Sequence, residues 1–299
     1  MIKRLITGAI LLSVLVPLVI IEQLLPAFQA VAFVFVILGA REMIKLYEHH
    51  KKYHFGVKLV IYIATVLTFI GGSTLLSSVI YGNPLYNLIS ISSFLVALSM
   101  QLSLLVFSKD FDASDIGKSI GTTLYVGFGV ASLYTLRALG IEFISFLFLI
   151  TIMTDVFAYV FGMLFGKHKM IERISPKKTW EGAIGGTLIG TFSATLLVFL
   201  FTDLFPNSDM NVVFGGILSG FGTNYVLLFV VVFAISLITS IFGQIGDLVA
   251  SRLKRTYDVK DFSNIFPGHG GFLDRFDSSI VASAVLLALY FICSILVSL

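Results

Sequence analysis

Residues 225–278 read YVLLFVVVFAISLITSIFGQIGDLVASRLKRTYDVKDFSNIFPGHGGFLDRFDS, an apolar run that passes directly into a polar segment. The apolar run, 225–250, is long enough to cross the hydrocarbon core of a bilayer as one helix. The polar segment, 251–278, holds five Lys or Arg residues and four Asp residues. This pattern predicts membrane-spanning helices, with the charged side chains that could carry a reaction concentrated in a loop at one membrane surface.

The composition of the whole chain supports a membrane protein. Of its 299 residues 57% are hydrophobic and 12% are charged, whereas soluble domains carry about 25% charged residues. The single cysteine, Cys293, lies in the last apolar segment, which excludes a disulfide within the chain and a cysteine-based zinc site. No small-residue cleavage site follows the N-terminal MIKR and its apolar run, so we expect this run to remain as the first span.

Apolar stretches of about 20 residues recur along the chain and predict an all-α, polytopic integral membrane protein with about nine transmembrane helices. The predicted spans are 5–21, 24–40, 57–81, 85–107, 120–138, 143–165, 182–202, 225–250 and 279–298.

The basic residues predict the orientation of these spans. With the N-terminus in the cytoplasm, every one of the 20 Lys and Arg residues except Arg137 falls in an inner segment. The loops left outside, YGNPLY and FTDLFPNSDMNVVFGG, have none. Since cytoplasmic loops are enriched in Lys and Arg, we expect the polar segment 251–278 in the cytoplasm and the C-terminus outside.

The chain divides by character into two parts. In residues 1–140 the inner loops are merely basic, which predicts helices for anchoring and packing beside anionic lipid. In residues 141–299 the inner loops combine Gly, Pro, His and acidic residues, which predicts a catalytic half whose active site faces the cytoplasm.

Asp155 and Asp247 fall well inside predicted spans, where a charge is unfavourable unless it faces a polar cavity. Helical spacing places Asp155 on one face with Thr151, Tyr159, Gly162 and Gly166. It likewise places Asp247 within one arc with Gln244, Ser251, Lys254 and Arg255. The alternative is that each Asp pairs with a buried cation or caps a broken helix.

Asp274 and Asp277 in LDRFDS project to the same side if a helix begins there. Together with Asp247 they would form an oxygen-rich, sulfur-free cluster suited to Mg²⁺. Three carboxylates repel one another unless a cation lies among them. The predicted metal ligands are therefore Asp155, Asp247, Asp274 and Asp277.

The stretch ISPKKTWEG places Lys177 and Lys178 beside a predicted helix start, with Thr179 as the N-cap and Glu181 in the first turn. Positive charge at a helix N-terminus favours anion binding, although Lys and Trp at the end of a span are also routine. Small residues follow four apart and predict a helix-packing face: Gly182, Gly186, Gly190 and Ala194.

The stretch PGHGG predicts a loop whose glycines adopt dihedral angles that a Cβ forbids and whose N–H groups approach an anion. His269 could donate a hydrogen bond to a phosphate or transfer a proton there. A lone loop histidine is more often a bystander, but the flanking glycines and the nearby Asp274 favour a functional role.

The polar segment resembles the signature of the bacterial phosphatidate cytidylyltransferase (CDP-diacylglycerol synthase) family. DVFAYVFGMLFGK and ISPKKTWEG are similar to two further motifs of that family, so the resemblance covers roughly residues 150–280. The matching residues of the signature are Ser251, Leu253, Lys254, Arg255, Lys260, Asp261, Ser263, Phe266, Pro267, His269, Gly270, Gly271, Phe272, Asp274, Arg275, Phe276 and Asp277.

The resemblance implies the transfer of CMP from CTP to phosphatidic acid with Mg²⁺, with one or two metal ions left open. It also implies CTP, phosphatidic acid, the bilayer of the cell membrane and a second copy of the chain as partners, and no nucleic acid. Expected catalytic residues are Asp247, Asp274, His269 and Lys260. Expected substrate-binding residues are Lys177, Lys178, Ser251, Lys254, Arg255, Gly270, Gly271 and Arg275.

Other functions are compatible with parts of the pattern. A polyprenol kinase or a CDP-archaeol synthase would share the overall character but should lack HGGFLDRFD. A transporter using Asp155 and Asp247 would need a polar path through the outer halves of the spans, which are apolar. A scaffold protein would need no carboxylate cluster.

Overall fold

A computed structural model of the chain describes residues 2–81, 83–201, 225–266, 268 and 270–298. The stretch FTDLFPNSDMNVVFGG, predicted to be an outer loop, is not among the described residues apart from its first residue. The chain forms two compact units. The first unit comprises Met1–Thr135 and Leu253–Phe276, and the second comprises Leu136–Arg252 and Asp277–Leu299.

Helices dominate both units. They are α1 (Ile2–Ile20), α2 (Leu25–Tyr47), α3 (Phe55–Tyr81), α4 (Pro84–Phe107), α5 (Ala113–Thr122), α6 (Gly129–Leu139), α7 (Ile141–Phe165), α8 (Trp180–Phe201), α9 (Tyr225–Thr256) and α10 (Leu273–Ser298). Across the described ranges, seven helices are long and apolar enough to cross a membrane. The predicted all-α, polytopic membrane class is confirmed, while the count of nine spans and the orientation stay predictions.

The predicted spans fall on helices, but several ends differ. Helix α2 continues to Tyr47 instead of ending near residue 40, and α9 continues to Thr256. The fifth predicted span is composite, because a π-helical segment, Thr123–Phe128, lies between α5 and α6. A short antiparallel hairpin before α8, which the sequence did not predict, is formed by β1 (Lys169–Ile171) and β2 (Ser175–Thr179).

The first unit is held together partly by a buried ionic network at the start of α5. The Asp115 side chain is fully buried and accepts hydrogen bonds from Lys51 at 2.5 Å, Lys118 at 2.8 Å and the Tyr53 hydroxyl at 2.9 Å. Asp112 caps the helix and exchanges side chain–backbone bonds with Asp115 in a capping box. These bonds tie the loop after α2 to α5.

The second unit depends on close contact between α7 and α8. A Cβ placed on Gly186 would lie 2.5 Å from the Thr154 carbonyl oxygen and 2.7 Å from the Ala158 Cβ. A Cβ on Gly190 would lie 2.3 Å from the Thr154 hydroxyl oxygen. The small-residue face predicted for α8 is therefore confirmed as a packing face, because any side chain there would separate the helices.

Candidate active site

A cavity of about 320 Å³ lies in the second unit among α7, the hairpin, α8 and α9. It collects residues from the three stretches that the sequence analysis selected. Its lining is Asp155, Ala158, Tyr159, Gly162, Met163, Lys177, Lys178, Thr179, Ala183, Gln244 and Asp247. Four charged side chains thus line one cavity, two carboxylates and two ammonium groups.

Helix α7 presents Asp155 to this cavity. The next residues on the same helical face, Tyr159 and Gly162, line the cavity as well. The common face predicted from helical spacing is confirmed for these three residues, whereas Thr151 and Gly166 of the same predicted face do not line the cavity. A hydrogen bond of 2.7 Å between the hydroxyls of Thr154 and Ser240 joins α7 to α9 beside it.

Helix α9 presents Asp247, and Gln244 one turn earlier fixes that face of α9 against α8. The Gln244 amide donates to the Ala183 carbonyl oxygen at 3.1 Å and to the Thr187 hydroxyl at 2.6 Å. These two bonds satisfy the Gln244 amide nitrogen. Without such partners, a polar amide would be unfavourable between apolar helices.

The hairpin brings the two lysines to the cavity, and Thr179 connects the hairpin to α8. The N–H of Gly182 donates to the Thr179 hydroxyl at 3.2 Å, so Thr179 is the N-cap that the sequence predicts. Glu181 in the first turn accepts hydrogen bonds from the N–H groups of Lys167 and His168 and contacts the His168 ring at 2.6 Å. Both ends of the hairpin are thereby anchored at the start of α8.

Inside the cavity, Lys178 forms an ion pair with Asp247, and the Ser251 hydroxyl donates to the other oxygen of the same carboxylate at 3.3 Å. The side chains of Lys178 and Asp247 are each 29% exposed. The pair is therefore accessible from the cavity, and both charges can be reached by a ligand that carries phosphate groups or a cation.

The donor set fits Mg²⁺ delivered with a polyphosphate. Mg²⁺ in such sites is commonly held by one or two carboxylates together with waters and substrate phosphates. Asp155 and Asp247 supply two carboxylates on the same cavity, with hydroxyl and amide oxygens nearby. Within the described ranges, no group of three or more His, Cys, Asp or Glu side chains could hold a metal ion.

Asp274 belongs to the first unit, where its carboxylate is almost fully buried and bound by protein donors. Lys254 lies 2.6 Å from one oxygen, and the N–H groups of Phe262 and Gly271 donate to the other at 2.9 and 2.8 Å. Here Asp274 organises the polar segment, since it joins the end of α9 to the start of α10. Its expected role as a metal ligand stays a prediction.

Two glycines of the predicted anion loop, Gly270 and Gly271, lie against this carboxylate. Gly270 has φ of 86°, a conformation that L side chains rarely adopt, and Gly268 has φ of 80°. A Cβ on Gly270 would lie 2.9 Å from an Asp274 carboxylate oxygen. The predicted dihedral angles are confirmed for Gly268 and Gly270. The Gly271 N–H donates to a carboxylate of the chain itself, and the predicted phosphate site stays a prediction.

The other predicted site residues are distributed over both units. Asp277 is buried in the second unit and accepts a hydrogen bond from the Ser278 N–H at 2.8 Å. In the first unit Arg255 is exposed and donates to the Val259 carbonyl oxygen at 3.2 Å, while Lys260 and Arg275 are exposed. The predicted residues His269 and Pro267 lie outside the described residues.

One buried acid escaped the sequence analysis. Glu42 lies just beyond the predicted end of the second span, in what was interpreted as a basic inner loop. The structure shows it inside α2 and 1% exposed. The pattern MIKLY after it, with Met43, Ile44, Leu46 and Tyr47 all buried, could have indicated that the helix continues.

The structure is thus that of a multi-pass membrane protein with a cavity that combines two carboxylates with two lysines. The chain belongs to the cytidylyltransferase family, whose model matches residues 2–293.

Curated relatives agree with this family. The chain is 42% identical over 186 residues to a phosphatidate cytidylyltransferase of Staphylococcus epidermidis, an alignment that covers 62% of the chain and 63% of that relative. It is 39% identical over 199 residues to the protein of the same name from Staphylococcus aureus strain COL, covering 66% of the chain and 68% of the relative. The aligned part thus spans less than two thirds of the length of the Staphylococcus epidermidis relative.

Proposed function

We propose that the chain is a phosphatidate cytidylyltransferase, which transfers CMP from CTP to phosphatidic acid and releases pyrophosphate. The observation that carries the proposal is the cavity where Asp155 and Asp247 meet Lys177 and Lys178. Family membership and the names of the curated relatives support the same activity.

The reaction needs charge neutralisation more than it needs a base. A phosphate oxygen of phosphatidic acid attacks the α-phosphorus of CTP, and the bond from that phosphorus to the oxygen bridging to the β-phosphate breaks. The electron pair leaves with pyrophosphate. Because a phosphate monoester is already ionised near pH 7, no proton has to be removed from the attacking group.

The residues of the cavity suit this task. Lys177 and Lys178 can bind phosphate oxygens and offset the charge that develops on the leaving pyrophosphate. Asp155 and Asp247 would hold Mg²⁺ together with the triphosphate. When bound, Mg²⁺ neutralises phosphate charge and helps to align the two reactants.

Basic residues of the polar segment also suit anionic substrates. Arg255, Lys260 and Arg275 are exposed and can bind phosphate groups of either substrate. His269 is proposed to contact the transferred phosphate. We further propose that this chemistry takes place at the cytoplasmic face of the cell membrane, following the distribution of Lys and Arg.

Two labelled forms of CTP test the proposal. Purified protein in detergent is mixed with phosphatidic acid, Mg²⁺ and CTP carrying ³²P at either the α or the γ position. We expect ³²P in the lipid fraction only when the α-phosphate is labelled. We expect ³²P in the released pyrophosphate only when the γ-phosphate is labelled. Label entering lipid from the γ position would indicate a CTP-dependent kinase, and no lipid label with any acidic phospholipid would refute the proposal.

A further inference from the structure

Glu42 connects α2 to the polar segment across more than 200 positions of the chain. Its carboxylate accepts a hydrogen bond from the Ser263 hydroxyl at 2.5 Å. It also accepts from the N–H groups of Phe272 at 2.8 Å and Leu273 at 2.9 Å. All of these residues belong to the first unit.

The Glu42 carboxylate caps the N-terminus of α10. This helix begins at Leu273, and the residue before it, Phe272, has no side-chain acceptor for the first N–H groups. The first N–H groups of an α-helix have no acceptor within the helix itself. When the start of the helix is buried, another part of the protein must therefore supply the acceptor. Glu42 supplies two acceptor oxygens and a negative charge at the end of the helix that favours one.

The backbone around this contact is shaped to admit Glu42. A Cβ on Gly271 would lie 2.4 Å from a Glu42 carboxylate oxygen and 2.8 Å from the Ser263 hydroxyl oxygen. Such distances are far inside van der Waals contact. Gly271 therefore leaves the space that Glu42 occupies.

The same face of α2 docks on the start of α10. Gly39, one turn before Glu42, faces Leu273, and a Cβ there would lie 3.4 Å from a Leu273 methyl group. Two turns before Glu42, the Phe35 ring stacks on the Phe272 ring with centroids 4.5 Å apart. The position of the polar segment is thus set by α2 through aromatic contacts as well as hydrogen bonds.

Glu42 and Asp274 hold the same turn from two sides. The Gly271 N–H donates to Asp274, and the next two N–H groups along the chain donate to Glu42. We propose that Glu42 is a positioning residue for the nucleotidyl transfer: it sets the geometry of the turn at Gly271, Phe272 and Leu273, which leads directly into the exposed Arg275. This inference rests on the proposed function.

Glu42→Gln is the most informative variant because it keeps the length of the side chain. The Gln amide has only one acceptor oxygen, so in either orientation its NH₂ group faces a backbone N–H of Phe272 or Leu273. Ser263→Ala removes one of the three donors and serves as a milder variant. Glu48→Gln is the matched control, since Glu48 accepts a bond from the Tyr53 N–H and pairs with Lys58.

Three quantities are measured on each purified, full-length variant. They are the melting temperature in detergent, hydrogen exchange in peptides that contain Phe272 and Leu273, and kcat and KM for CTP and phosphatidic acid. For Glu42→Gln we expect faster exchange at the turn and a fall in kcat of at least about tenfold, with each KM within about threefold, because small displacements of a reacting group have large effects on rate.

The controls separate this result from general damage. Ser263→Ala should also give faster exchange at the turn and a lower kcat, with both effects smaller than for Glu42→Gln. Glu48→Gln should change neither the exchange at the turn nor kcat. Faster exchange with an unchanged kcat would overturn the positioning role, as would a lower kcat without faster exchange at the turn. A wild type that makes no CDP-lipid would overturn the proposed function, whereas the exchange data would still report whether Glu42 holds the turn.

Discussion

At the scale of single residues, Asp247 and Asp274 differ in how their carboxylates are held by donors of the same chain. Asp247 is paired with Lys178 and Ser251 in the cavity, and Asp274 with Lys254 and two backbone N–H groups. The first pair is partly exposed, whereas the Asp274 side chain is 3% exposed. This contrast favours ligand binding at Asp247 and a structural contribution from Asp274.

The hydrogen-bond donors around Asp115 change the pKa of its carboxyl group. Burial acts to raise the pKa of this carboxyl, but hydrogen bonds from two lysines and a tyrosine outweigh burial and lower the pKa well below its ordinary value of 3.8. A depressed folded-state pKa adds stability that is fully present above the unfolded-state pKa. That stability is lost as the pH falls below about 4 toward the folded-state pKa.

Asp115→Asn should therefore reduce stability at neutral pH and have less effect in acid. We expect a loss of about 1–3 kcal/mol at pH 7, because Lys51, Lys118 and the buried Tyr53 hydroxyl lose a charged acceptor. Thermal unfolding in detergent, recorded between pH 7 and pH 2.5, checks this. The exposed Asp110→Asn should change little at any pH, and a deficit for Asp115→Asn that stays constant down to pH 2.5 would contradict the account.

At the scale of elements, the second unit is built on helices that approach closely at glycines. The approach of α8 to α7 shapes the cavity, because α7 carries Asp155 and the capped start of α8 follows the two lysines. Displacing α8 would move both sets of charges in the cavity.

Gly186→Ala tests this packing. The added methyl group would meet the Thr154 carbonyl oxygen and Ala158, so we expect a loss of about 1–3 kcal/mol from overpacking. Gly243→Ala in α9 is the matched control, since its methyl group would lie 3.6 Å or more from every neighbour. Equal melting temperatures for the two variants in detergent would show that the glycine face of α8 is not a packing constraint.

The elements also show what the sequence can predict. Hydropathy located the helices, and helical spacing grouped Asp155 with Tyr159 and Gly162, because both depend only on local order along the chain. The end of α2 was placed too early, since Arg41, Glu42 and Lys45 lower the hydropathy of a segment whose other residues are buried. The contact of Glu42 with Leu273 could not be predicted, because it depends on how distant helices pack.

At the scale of the whole molecule, the compact units do not follow the two halves of the chain. The segment Leu253–Phe276 belongs with the N-terminal helices, and it carries most of the family signature. The N-terminal helices therefore do more than anchor the protein in the membrane, since α2 supplies Glu42 to that segment. The division into an anchoring half and a catalytic half stays a functional prediction.

The predicted orientation can be tested by labelling cysteines in intact cells. In a Cys293→Ser background, Asn83→Cys should react with a membrane-impermeant maleimide from outside, because its loop carries no basic residue. Lys109→Cys and Lys169→Cys should react only after permeabilisation. The reverse pattern would place the Lys-rich loops outside and contradict the proposed cytoplasmic site.

The central claim is that the cavity of the second unit is where CMP transfer takes place. Formation of CDP-diacylglycerol from CTP and phosphatidic acid, compared between the wild type, Asp247→Asn and Asp110→Asn at saturating Mg²⁺, tests it most directly. The account predicts that Asp247→Asn stays folded and loses at least about a hundredfold in kcat/KM, while Asp110→Asn matches the wild type. Activity of Asp247→Asn within a few fold of the wild type would contradict the account.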